Sequence, residues 1–125
     1  MQATGLSDMK RLLETALQAV RLEDVKVKID ESGEYLEVAD GTISVAQCVV
    51  EKGTRTGTRA FPGWEVYWWT YTPGGVPNWD DPPEVCEKEL YRGLSPYKAA
   101  TTIALSLHED RLQAVYENLE YESVP

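Results

Sequence analysis

Two cysteines, one histidine and one phenylalanine are all that 125 residues hold of these types. Cys48 and Cys86 have neither metal-ligand spacing nor a disulfide framework, so a reducing, cytosolic setting is expected. The one histidine stands in His108-Glu109-Asp110. Neighbours on a helix point about 100° apart, so these three do not converge on a metal ion. Apolar runs stay far below the ~20 residues of a membrane span. After Met1-Gln2-Ala3 the first apolar positions have helical spacing, so no signal peptide is expected. No glycine-rich phosphate loop occurs, and no spacing suggests a nucleophile with its base. No catalytic residue, cofactor or metal is therefore expected. Basic residues are scarce too: 12 Lys and Arg stand against 21 Asp and Glu, for a net charge of −9. Such a surface repels nucleic acid phosphates and favours basic partners.

What the chain does have is a concentrated aromatic stretch, FPGWEVYWWTYTPGGVPNWDDPP, from Phe61 to Pro83. It holds all four tryptophans. As a strand it has two aromatic faces: Trp64, Val66 and Trp68 point one way, and Tyr67, Trp69 and Tyr71 the other. One row can fill a core. The other must be covered by more protein, by a partner or by a ligand.

At 42% hydrophobic and 26% charged residues the chain is globular, and its length suits one domain over residues 1–125. Leu6, Met9, Leu13, Leu17 and Val20 share one helical face, which predicts a helix over about 6–22 capped by Thr4 or Ser7. Val25, Val27 and Ile29 alternate with polar residues as a strand does. Tyr35 to Val38 follows after the turn Glu31-Ser32-Gly33. Asp40-Gly41 is a two-residue hairpin signal. A third strand runs from Thr42 to Glu51, with Ile43, Val45, Gln47 and Val49 on one face. A polar connection, GTRTGTRA, leads to the aromatic strand, Gly63 to Thr72. Asp81-Pro82-Pro83-Glu84 resembles a helix start, but Gly93 and a new cap at Ser95 leave little room, so Val85 to Tyr91 reads as an edge strand. Ser95-Pro96 opens a final helix with two apolar stripes out of phase. Either that helix is buried on a wide face or it bends near residue 108. Cys48, inside a strand, reads as an inert core thiol. The expected fold is α+β: an antiparallel sheet of four or five strands with an N-terminal and a C-terminal helix packed on one face.

Three groups are candidate binding residues. Tyr67, Trp69 and Tyr71, with Trp79 in the next loop, could stack on a base or on a partner side chain. Their bland reading is core or dimer packing. Arg55 and Arg59, with threonines and glycines about them, could fork onto a phosphate, or form an ordinary solvated turn. Asp80, Asp81 and Glu84, with Glu87 and Glu89 beyond, could face a basic protein groove, or merely protect an edge strand. The element order also invites comparison with double-stranded-RNA-binding domains. Those hold phosphates with lysines at the start of the last helix, where Ser95 to Ala100 offers one, so direct nucleic acid binding is not expected.

The aromatic strand ending YTPGG, the DPPE step and the helix SPYKAATTIAL…EDRLQAVYENLEYE resemble small bacteriophage accessory proteins over about residues 61–122. The resemblance implies action in the cytoplasm of a bacterial host against its defences. The leading expectation is a non-catalytic inhibitor that binds a bacterial defence protein through its acidic and aromatic surface. The alternatives are a sponge for a nucleotide-like signal, with Arg55 and Arg59 on phosphates at a subunit interface of a homo-oligomer, and a structural or virion-assembly protein.

Overall fold

The structure, a computed structural model, describes residues 5–72 and 84–123. Of residues 71–72, 84–85 and 120–123 it describes the backbone alone. Helix α1 spans Leu6–Ala19 and buries Met9, Leu13 and Leu17, four residues apart, on one side. Its N-cap is Gly5, with extended backbone and no side-chain cap; Ser7 lies inside the helix and Thr4 outside the described residues. The helix stops three residues before its predicted end because Arg21 turns left-handed, at φ 60°. Arg21 N–H then donates to Gln18 and Leu22 N–H to Leu17, which closes the last carbonyls and drops Leu22 into the core. This is a glycine position occupied by arginine. Arg21→Gly should raise stability by about 0.5–1 kcal/mol, read as a higher urea midpoint with unchanged slope.

Five strands follow: β1 (Val27–Ile29), β2 (Tyr35–Val38), β3 (Ile43–Thr54), β4 (Gly57–Thr72) and β5 (Glu84–Gly93). They form one antiparallel sheet in chain order. Asp40 and Gly41 sit at the centre of the β2–β3 turn, both with positive φ, and Thr42 N–H donates to Ala39 across it. The polar stretch GTRTGTRA, 53–60, is strand on both sides of a tight turn at Arg55-Thr56. Lys52 pairs with Arg59 and Thr54 with Gly57. β2 leaves β3 at Ala46 and β5 leaves β4 at Trp64, so the pairs from Val49–Pro62 outward form a two-stranded ribbon. Val49 keeps the predicted face but is 64% exposed.

β5 is a strand, and it carries one irregularity. Val66 pairs with Tyr91 but Tyr67 with Glu89, so Leu90 is an extra residue. The bulge lets both Leu90 and Tyr91, neighbours in the chain, pack against the core.

Helix α2 spans Pro96–Ser123 and is capped as expected, with Lys98 N–H donating to Ser95 Oγ at 3.1 Å. Ala99, Ala100, Ile103, Ala104 and Leu107 are buried. Together with α1 they cover the sheet face carrying Val27, Leu36, Val38, Ile43, Val45, Trp64 and Val66. The second apolar stripe is neither buried nor set off by a helix break: Leu112, Val115, Tyr116 and Leu119 are each about half exposed or more. The helix outruns the layer it packs on. Arg111 anchors it there with two hydrogen bonds to Asp24, at 3.1 and 2.9 Å, which hold the Asp24 carboxyl below its usual pKa.

Candidate functional site

With both helices on one face, the other face of the sheet is open among the described residues. Alternation fixes what it shows. Where Leu36, Val38, Val45, Val66 and Trp68 turn to the core, their neighbours Tyr35, Glu37, Ser44, Ala46, Glu65, Tyr67 and Trp69 turn outward. Register lines them up across strands. Glu37, Ser44, Tyr67 and Glu89 form one row, and Tyr35, Ala46 and Glu65 the next.

Trp69 lies against β3, its Nε1–H donating to Ser44 Oγ at 2.8 Å. The Tyr67 and Trp69 rings sit 6.1 Å apart and tilted. Arg92 donates to Glu65 at 2.9 Å, to Glu89 at 2.7 Å and to the Tyr67 hydroxyl at 2.8 Å. These partners raise the guanidinium pKa further, so Arg92 is a fixed charge that props Tyr67. Lys28 reaches Glu37 from the sheet edge at 3.3 Å.

Between these side chains lies a shallow basin of about 830 Å³. Tyr35, Tyr67 and Trp69 supply its rings, and Ser44 and Thr42 its hydroxyls. Four carboxylates line it, from Glu37, Asp40, Glu65 and Glu87, and among the described residues no lysine or arginine does. No protein-family model, curated protein or solved structure matches this chain. The basin is therefore read from its own chemistry. Rings with negative faces beside carboxylates attract a cation and repel an anion. Among the described residues no group of three or more His, Cys, Asp or Glu side chains could hold a metal ion.

Of the residues singled out in the sequence, Tyr67 and Trp69 meet at the basin. Tyr71 continues β4 opposite Val85, and Glu84 begins β5 opposite Thr72. Trp79, Asp80 and Asp81 fall outside the described residues. Arg55 sits at the far turn of the β3–β4 ribbon, and Arg59 lies beside it with its guanidinium 5.4 Å from the Phe61 ring centre. Ten residues of β4 separate Arg59 from Trp69, roughly 30 Å at strand rise. The arginines and the stacking row thus do not converge within one chain.

Cys48 is a correction: it lies half-buried on the open face, outside the core. Partial burial first, then the nearby Glu65 carboxylate, push its thiol pKa up and keep it a poor nucleophile. Sequence reasoning missed Glu37, Asp40 and Glu65, and named Glu87 only within the acidic group that follows Asp80. The signal for Glu37 and Glu65 was present, since each shares strand parity with an outward aromatic, Tyr35 and Tyr67.

Proposed function

We propose that this chain is a non-catalytic binding protein whose open sheet face receives a basic segment of a partner protein. One observation carries the reading: four carboxylates line the basin of Trp69 and Tyr67, and the only cations described near them, Arg92 on Glu65 and Lys28 on Glu37, stand outside its lining. An arginine or lysine side chain entering the basin gains charge-assisted hydrogen bonds from the glutamates and a ring face to lie on, worth about 0.5–2 kcal/mol for the ring alone. The net charge of −9 steers such a partner in. The resemblance to phage accessory proteins supports a bacterial defence protein as that partner, and inhibition by occupying its surface as the role. A nucleotide signal is less well served, because its phosphates would meet carboxylates at the rings and find Arg55 and Arg59 about 30 Å away.

Calorimetric titration separates the two ligands. An arginine-rich peptide should bind with an affinity that falls as salt rises, and a nucleoside triphosphate should give no heat. Trp69→Ala should weaken the peptide at least ~10-fold while the domain stays folded, and Glu37→Lys with Glu87→Lys should abolish binding. Nucleotide binding lost in Arg55→Ala would overturn the proposal in favour of the sponge.

A further inference from the structure

Apolar side chains left in water are unevenly placed on this molecule. Among the described residues, six of the eight large exposed ones lie on α2, and five of those run from Leu105 to Leu119. At about 100° of turn per residue, Leu105, Leu112, Val115, Tyr116 and Leu119 form one seam, roughly 125° round the helix from the buried side at Ala100, Ile103, Ala104 and Leu107. Arg111 lies on that buried side and is held by Asp24, next to α1. The seam therefore faces away from the chain's own body.

Leu105, Leu112 and Leu119 recur every seven residues. Seven is the repeat of helices that wind about one another. We infer that this seam joins two copies of the chain, α2 against α2. A second copy supplies the matching repeat by identity. Half the surface of five large side chains is roughly 500 Å² per copy, so two copies approach the ~1,200 Å² lower bound of specific interfaces. That area fits a concentration-dependent dimer with a Kd on the order of micromolar. Charge agrees as well. Asp110 and Glu117 lie well round the helix from the seam, so two acidic chains can meet here without opposing carboxylates. The acidity of the whole chain weighs against an anionic lipid surface in the same place.

An antiparallel pair centred on Leu112 completes the fit. It sets Leu105 on Leu119 of the second copy and Glu109 beside Val115. His108, inside the arc of the seam with Glu109 at its edge, then lies beside Tyr116, and a polar residue within such a seam fixes register.

Sedimentation equilibrium of the full chain from about 1 to 500 µM should show a monomer–dimer equilibrium. Leu112→Glu should weaken it at least ~100-fold while leaving the far-ultraviolet circular dichroism unchanged, because Leu112 is already 45% exposed within one chain. Asp110→Ala, on another side of the helix, should leave the dimer intact. A wild-type chain that stays monomeric throughout, or a dimer that survives Leu112→Glu combined with Leu119→Glu, overturns the seam.

Discussion

Trp64→Ala should destabilise the domain by about 3–5 kcal/mol, while Trp69→Ala, five residues along the same strand, should remove only about 1 kcal/mol. The difference is one of parity. Trp64 is 4% exposed and belongs to the cluster that includes Ala99, Ala100 and Ile103. Its removal leaves a void beneath α2 that small alanines cannot fill, so both the transfer term and the cavity term apply. Trp69 lies half-covered on the open face, and its ring nitrogen holds one hydroxyl. A domain of this size has about 5–15 kcal/mol in hand, so Trp64→Ala should lower the urea midpoint steeply and populate unfolded chains at 37 °C. If both variants lost the same stability, the open face would be a second core and the basin no binding site.

Gly63→Ala should be nearly as damaging, at about 2–3 kcal/mol for a single methyl group. A Cβ at Gly63 would lie 2.5 Å from the carbonyl oxygen of Gly93 and 2.6 Å from a methyl of Val50. The valine can turn aside. The carbonyl belongs to the backbone where β5 meets β4, two residues before the Ser95 cap of α2. Relief therefore requires the last β4–β5 pair to open, and the start of α2 moves with it. Gly93→Ala makes the useful comparison. Its Cβ meets the Tyr91 hydroxyl and ring at 2.6 and 2.9 Å, atoms at the far end of a side chain, so it should disturb mainly the hydrogen bond from Ser95 N–H to that hydroxyl. Urea unfolding ranks the two variants. Hydrogen exchange should show early opening of residues 91–100 in Gly63→Ala.

Most of the layout could be read from alternation and spacing. The period-two runs at Val25–Ile29, Tyr35–Val38 and Ile43–Val49 located strands and their faces, and Asp40-Gly41 located the turn that sets the β2–β3 register. Alternation falls silent where neither face is covered. The ribbon from Val49 to Pro62 is held by backbone pairing, so its threonines and arginines carry no periodic apolar signal and read as loop. The second stripe of α2 misled in the opposite sense: its periodicity is genuine, but among the described residues no part of the core lies under it. The basin was half legible. Tyr67 and Trp69 announced themselves, whereas the carboxylates come from β2, the β2–β3 turn, β4 and β5, and meet only through register.

Leu90 makes that register a matter of sign. Were Leu90 paired in turn instead of bulged, the pairing that joins Trp64 to Gly93 would continue unchanged and set Trp69 opposite Lys88 and Tyr67 opposite Leu90. With the bulge, Trp69 meets Glu87 and Tyr67 meets Glu89, while Lys88 is sent round beside Trp68. The bulge thus works as a parity bit. It writes no charge of its own, yet it decides whether the lysine or the two glutamates of β5 stand beside the rings. A bulge is ordinarily counted as a break in pairing; in this strand it sets the polarity of a surface.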